Sequence, residues 1–488
     1  MQSKRDQVQA HMFVMQRLAS GMLRADPDAP ESPSGRTNRG VAIGLVVAVL
    51  VCAGTFVIGL IKPGGSDSWK TAGDLIVDKG TGARYLYLEG RLHPVRNYAS
   101  ARLLGGKDLG TTTVGSSSLD GTPFGSPVGV PGAPDTLPPA SGLDTGSWQV
   151  CSGLAATPSG EVSGTTALAI GATAEGGALG AGQVVLLAGP DRSRYLLWQG
   201  SRLRLDAEAG AADALGYGSA VPRPVTAAFL DALPAGPDLA PPDVPGRGSP
   251  GPALGNGSTR LGQLFRVDVP GTAPRYHLLT AKGLVPLTET GAALVLGDPQ
   301  TRTQAYAGRA PTARPLGSDV LGRHLAPATD ALAALPAAPP RLVDIPRDSV
   351  ACVGVDGTPG RTRVSAAVLP GAVLGPAVQP APEALPSCLA VDTVSVAPGR
   401  GALVRAVSSG GAALGDTTYV VDGTGVKYRV GSSTALEALG YAGATARTLP
   451  AMLLAMLPTG PDLTPEAAER GAAEVSAGQC STVPPARR

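Results

Sequence analysis

The chain has 488 residues, 43% hydrophobic but only 4% aromatic, with 67 Gly and 46 Pro. That length holds about two to four domains, whose cores must be built from Ala, Val and Leu with long loops between small units. A formal net charge of +2 supplies no field to gather nucleic acid or acidic lipid, and the four histidines, His11, His93, His277 and His324, lack the local spacing of a zinc site.

Residues 3–24 predict an amphipathic helix. Ser3 can cap it, Asp6 suits the positive end of the dipole, and Val8, Met12, Met15, Leu18 and Met22 recur on one face. Asp26-Pro27 ends it, and residues 26–40 are expected to form a polar tether. With no domain of its own to pack on, such a methionine-rich face is expected to dock in a partner's groove.

Residues 41–61 read VAIGLVVAVLVCAGTFVIGLI without a charge. At about 1.5 Å per residue this gives ~32 Å of helix, matching a hydrocarbon core of ~30 Å. A core helix rarely stays apolar all round for this length, and the apolar part of a cleaved signal is usually about 7–15 residues. The segment is expected to be an anchor. Flanking charges do not orient it: Arg24, Arg36 and Arg39 balance Lys62, Lys70 and Lys79. The cysteines favour placing residues 62–488 outside, since Cys151, Cys352, Cys388 and Cys480 lie there in even number and disulfides persist outside the cytosol. Cys52 falls within the apolar run.

Beyond the anchor one small unit recurs: a strand, a Gly/Asp turn, then a second strand led by Arg-Tyr or Thr-Tyr. The second strands begin Arg84-Tyr85-Leu86, Arg194-Tyr195-Leu196, Arg275-Tyr276-His277 and Thr418-Tyr419-Val420, and an Ala/Leu-rich stretch follows each. Copies two and four agree further. Residues 214–241 align without gaps on 438–465, an offset of 224, with 15 of 28 positions identical. Strand alternation predicts that Tyr85, Tyr195, Tyr276 and Tyr419 fill the repeat cores while the arginines stay at the surface. Pro/Gly-rich residues 125–140, 234–256 and 333–340 read as linkers. Residues 145–182 and 341–400 fit no copy, hold Cys151, Cys352 and Cys388, and are expected to pair as a central layer. Four cysteines allow three connectivities. Cys151–Cys352 with Cys388–Cys480 is the expected set, and a Cys151–Cys388 link would overturn it.

Catalytic motifs are scarce. The phosphate-cradling pattern G-x-x-x-x-G-K-[ST] does not occur, nor does a G-x-S-x-G elbow. Gly246, Gly248 and Gly251 form a G-x-G-x-x-G that follows prolines rather than a strand, so it reads as linker. The Asn256-Gly257-Ser258 sequon sits in the same stretch. His93 and His277 belong to repeat hairpins and read as structural. No catalytic, cofactor-binding or metal-ligating residue is assigned.

The opening residues 3–40, SKRDQVQAHMFVMQRLASGMLRADPDAPESPSGRTNRG, followed by one membrane helix, closely resemble the EccB component of type VII (ESX) secretion systems. GARYLYLEGRLHPVRNYASARLL (82–104) and GVPGAP (129–134) resemble that family's first repeat, and Trp148-Gln149-Val150-Cys151 and Ala351-Cys352-Val353 its two cysteine segments. The resemblance implies an α+β, single-pass inner-membrane protein whose elongated extracytoplasmic region carries four β-hairpin/helix repeats around a central β domain stitched by a disulfide. It implies a structural subunit assembling with the EccC motor ATPase, EccD, EccE and the mycosin protease into a hexameric pore, with homo-oligomeric contacts between outer domains and a cytoplasmic N-terminus. Cys388 and Cys480 lie outside the family pattern, so their pairing rests on the count alone. Some relatives are labelled ATPases, and the absent P-loop sets this chain apart from that label. A membrane-anchored ATP hydrolase and a cell-wall-binding module are the alternatives. The expected organisation is a cytoplasmic helix and tether (1–40), membrane helix (41–61), repeat one (68–128), central domain (145–182 and 341–400), repeats two (183–240), three (260–332) and four (401–465), and a tail (466–488).

Overall fold

The computed structural model describes residues 4–24, 33–61, 67–70, 73–172, 176–255, 257–327, 334–358, 361–476 and 480. The chain divides into two compact units, one of residues 1–71, 76–83 and 111–123 and the other of 72–75, 84–110 and 124–488.

In the first unit helix α1 runs over Lys4–Arg24 and helix α2 over Pro33–Ile61. The tether expectation is corrected: α2 starts at Pro33, and residues 25–32 lie outside the described residues. Proline is suited to the first helical turn, where its missing N–H costs no hydrogen bond, and no breaker separates it from the apolar run. The window Thr37–Ile58 has a mean hydropathy of 2.8 and none of it is buried. Later in this unit the Asp78 carboxylate gathers the Thr81 hydroxyl at 2.7 Å, the Gly80 N–H at 2.9 Å and the Ser116 hydroxyl at 2.7 Å, and these bonds hold its carboxyl below the usual range.

The second unit is built of small sheets. Arg84–Leu88 pairs antiparallel with Arg91–Pro94, and helix α3, Tyr98–Gly105, follows, capped by Asn97. In copy two Gln183–Ala188, Arg194–Trp198 and Ser201–Arg204 form an antiparallel meander, and Arg223–Pro224 adds parallel to the first strand. Copy four repeats this with Ala402–Val407, Ala413–Val421, Lys427–Val430 and parallel Arg447–Pro450. Copy three does so with Leu264–Val267, Arg275–Thr280, Gly283–Leu287 and parallel Arg314–Pro315. A further sheet has the order 361–370, 349–358, 148–156, 162–170, 393–396, drawing its strands from both segments outside the repeats. Its register places Cys151 opposite Cys352.

One hydrophobic cluster joins this sheet to copies two and four. Trp148, Val150, Leu168, Val353 and Val355, which the register places on one face of the sheet, meet Val225, Phe229, Leu230 and Leu233 of copy two and Leu449, Leu453, Leu454 and Leu457 of copy four. The two repeat sets differ by the offset of 224, so the repeats present equivalent faces to one face of the sheet. Full burial of one such leucine contributes about 1.5–3 kcal/mol.

The linker reading is corrected at two stretches. Within 234–256, Val244 and Leu254 are buried in the copy-three core, and Arg247 forms an ion pair with buried Asp298 and donates to Thr301 Oγ1 at 2.8 Å. The G-x-G-x-x-G thus serves close packing: Gly248 has φ +85° and lies against the Gln304 carbonyl, where a Cβ would clash. Asn256 of the sequon lies outside the described residues. Within 125–140, Val130 and Ala133 pack in the copy-four core, and the Tyr441 hydroxyl donates to the Pro138 carbonyl at 2.8 Å. Proline-rich chain lacks donors, but its rings and carbonyls pack well against neighbouring units.

Candidate functional site

What the sequence supplies for function is mostly surface. On α1 the side chains of Val8, Met12, Phe13, Met15, Leu18 and Met22 are all exposed, between 55% and 83%. An apolar stripe of this kind on a 21-residue helix is a docking surface for a membrane or a protein groove. The free cysteine, Cys52, is exposed on the apolar helix α2.

The β body is joined by long-range polar links. Arg223 and Arg447 are equivalent by the offset, and both reach into the central sheet. Arg223 Nη2 donates to the carbonyls of Ser152 at 3.3 Å and Ser349 at 3.1 Å. Arg447 donates to the Gly146 carbonyl and pairs with the Asp356 carboxylate. Disulfides join Cys151 to Cys352 and Cys388 to Cys480. The first spans 201 residues of sequence and the second 92.

Two of the four tyrosines, Tyr195 and Tyr419, are placed differently from the expectation. Tyr85, Tyr195, Tyr276 and Tyr419 are all half-buried, and in copies two and four the repeat's own core receives the next residue, Leu196 or Val420. Alternation is the cause: Tyr195 and Tyr419 take the opposite sheet face and pack on the central cluster. Tyr85 meets Phe124 edge-on, with ring centroids 5.6 Å apart. Tyr276 packs against the copy-three cluster.

The remaining polar groups of note are structural. His93 Nδ1 lies 2.9 Å from the Ser126 carbonyl. His277 is buried, and desolvation, with the nearby Arg275 charge, pushes its pKa below the usual value. Lys427 is 7% exposed, and its ammonium donates to the carbonyls of Leu454 at 2.6 Å, in the helix Ala451–Ala455, and of Leu457 at 2.7 Å, just beyond its end. Burial pushes its pKa down to about 8. Among the described residues no group of three or more His, Cys, Asp or Glu side chains is placed to hold a metal ion. A cavity of about 750 Å³ lies where copies two and four meet the central sheet, lined by Arg202, Asp231, Ala235, Val355, Thr362 and Leu453 among others. It brings together one ion pair and otherwise small or apolar side chains, with no nucleophile beside a base.

An apolar helix long enough to span a bilayer, joined in sequence to a disulfide-linked body of small β repeats, defines a membrane-anchored α+β protein. Residues 1–476 match the family described as type VII secretion system ESX-1, transport TM domain B, and the chain belongs to that family. It is therefore a membrane component of a type VII secretion system, with a β-rich extracytoplasmic domain.

Among its relatives, the ESX-3 secretion system ATPase EccB3 of Mycolicibacterium smegmatis is 30% identical over 506 residues, covering 99% of this chain and 92% of the relative. The ESX-1 secretion system ATPase EccB1 of Mycobacterium tuberculosis is 28% identical over 471 residues, covering 95% and 93%. A chain in a structure of an intact ESX-5 inner membrane complex superposes with a TM-score of 0.66 at 25% identity, over 98% of this chain and 97% of that one. A chain of the EccB3 dimer from the ESX-3 core complex gives 0.64 at 25% identity, over 81% and 99%.

Proposed function

We propose that the chain is a structural subunit of an ESX inner-membrane complex, which scaffolds assembly and builds the extracytoplasmic part of the pore. The observation that carries this reading is the use made of the polar groups in the β body. Arg223 and Arg447 fasten copies two and four to the central sheet, Cys151–Cys352 stitches two strands of that sheet, and Cys388–Cys480 pins the C-terminal stretch, which suits a rigid contact surface rather than turnover. The cytoplasmic arm is α1, whose uncovered methionine face suits a groove on the EccC motor ATPase, EccD or EccE. The outer repeats meet further copies of the chain and the mycosin protease. Residues 62–488 lie outside and the N-terminus inside, an orientation that the two disulfides favour.

The relatives bear the name ATPase, whereas this sequence holds no P-loop pattern. Affinity purification from membranes in mild detergent tests the scaffold reading: the other ESX components should co-purify, and Met12→Glu with Leu18→Glu should release the inner ones without lowering the melting temperature of the β body. ATP hydrolysis above a heat-killed control that one point substitution abolishes would favour an enzyme instead. Protease added to intact spheroplasts should cut beyond Ile61, and protection of that portion would reverse the orientation.

A further inference from the structure

Copies two and four, so alike in sequence, differ along one edge. In copy four that edge is covered by two stretches of the same chain. Leu385 and Thr459 exchange backbone hydrogen bonds of 2.8 and 2.9 Å, and the Leu389 N–H donates to the Ala455 carbonyl at 2.9 Å. Three residues on, the Asp462 N–H donates to the Glu474 carbonyl at 2.7 Å, and its carboxylate accepts from the Ser476 N–H at 3.3 Å and from Arg429 at 2.8 Å. Thr459 and Asp462 are accordingly 8% and 2% exposed. The Cys388–Cys480 bond ties the two covering stretches together.

The offset of 224 carries Ala455, Thr459 and Asp462 to Asp231, Ala235 and Asp238. Those three residues are exposed. The Ala235 N–H and C=O, the Asp231 carbonyl and the Asp238 carboxylate have no hydrogen-bond partner among the described residues. No described residue is hydrogen-bonded there, and the residues 224 places before 385–389, namely 161–165, lead into and lie in the central strand Val162–Ile170 instead. The 750 Å³ cavity opens beside the bare edge and reaches Leu389, the residue that docks at copy four.

We propose that the edge of copy two from Asp231 to Asp238 docks an extended segment of a partner subunit, an apolar strand carrying a basic residue. It adds to the Ala235 backbone as Leu385 adds to Thr459. Strand addition takes its affinity from main-chain bonds and its selectivity from flanking side chains. The template is on the molecule itself: the segment seated on copy four bridges to Thr459 through the Leu385 backbone and lays Leu389 against the core and the cavity. The basic residue answers Asp238, which makes no ion pair among the described residues, although Arg204 stands in copy two where Arg429 neutralises Asp462 in copy four. Only the origin of the segment in another subunit rests on the scaffold reading; the vacant edge does not.

The test uses a fluorescent peptide copying residues 381–390, with serine at the position of Cys388, added to the detergent-solubilised full chain. Copy four is already filled, so saturable binding at one peptide per chain is expected. Ala235→Pro removes the donor and should weaken binding about tenfold, the effect of losing one hydrogen bond. A peptide N-methylated at the position of Leu385 cannot donate to the residue-235 carbonyl and should lose binding to the unaltered protein, which keeps the test decisive if Ala235→Pro misfolds. Absence of saturable binding, or equal binding of the methylated peptide, overturns the edge. In native membranes, benzoylphenylalanine at position 235 should crosslink to an apolar, base-containing segment of another subunit. A crosslink to a second copy of this chain, or none in the assembled complex, overturns the assignment to a partner while leaving the scaffold reading to the co-purification.

Discussion

Arg202 and Lys427 occupy equivalent hairpin positions in copies two and four, and each donates at 2.6 Å to the carbonyl of the same helical residue, Leu230 and Leu454, 224 apart in sequence. Their main chains match as well: the Arg202 N–H donates to Pro234 and the Lys427 N–H to Pro458. A cation at a helix C-terminus satisfies carbonyls that the helix itself cannot. The two cations differ in one respect that can be measured, since a lysine can lose its proton and an arginine cannot.

Lys427 therefore predicts a pH dependence. Burial holds its pKa near about 8, against 10.5 ordinarily. Between those values the unfolded chain binds the extra proton, so the stability contributed through this group is lower below pH 8 and rises with pH across the window. Relative to Lys427→Met, the unaltered protein should gain up to ~3 kcal/mol between pH 8 and 10.5. Urea titrations at the two ends check this, and Arg202→Met should show no such trend.

His277 predicts the opposite end of the scale. Its folded pKa lies below the unfolded 6.5, through burial first and the Arg275 charge second. The unfolded chain takes up the proton first on acidification, so stability is fully present above pH 6.5 and falls as pH drops. His277→Leu, which installs the residue copy two carries at Leu196, should match the unaltered protein at pH 8 and melt higher at pH 5.

The repeat–sheet junctions should be sensitive to their arginines. Arg447→Ala leaves the Gly146 carbonyl and Asp356 without their donor, and Arg223→Ala does the same to Ser152 and Ser349. Each should cost about 2 kcal/mol, the scale of a hydrogen bond to a charged group. Chemical denaturation reads both, and the double variant tests whether the junctions act independently.

Removing the disulfides should weaken the body unequally. In the chain-entropy model, closing 201 residues is worth about 5 kcal/mol and closing 92 somewhat less. Cys151→Ser with Cys352→Ser should lower the melting temperature more than Cys388→Ser with Cys480→Ser. Mapping of unreduced peptides checks the connectivity itself.

Much of this was readable from residues, and what was not has physical causes. The 15 identities between residues 214–241 and 438–465 reveal the equivalence of copies two and four because packing against one shared sheet requires the same apolar positions twice. Copy three is fainter since His277 stands where leucine is expected and no central sheet disciplines its outer face. Tyr195 and Tyr419 mislead because a strand buried on both faces offers two interiors, and alternation alone does not say which one lies beneath the helix. Residues 234–256 look like a tether in composition, yet Val244, Arg247 and Leu254 turn inward. The vacancy at Ala235 is invisible in sequence because it depends on what Leu385 does 150 residues later.

The two sulfur bridges also decide how tension travels. A pull applied between the membrane side and the C-terminus would cross from Cys151 to Cys352, skipping copies two and three, and from Cys388 to Cys480, skipping copy four. Those three repeats hang as closed loops beside the load path, so a machine that tugs on this subunit could strain its first repeat and the stretch between Cys352 and Cys388 while the other hairpins stay slack and folded.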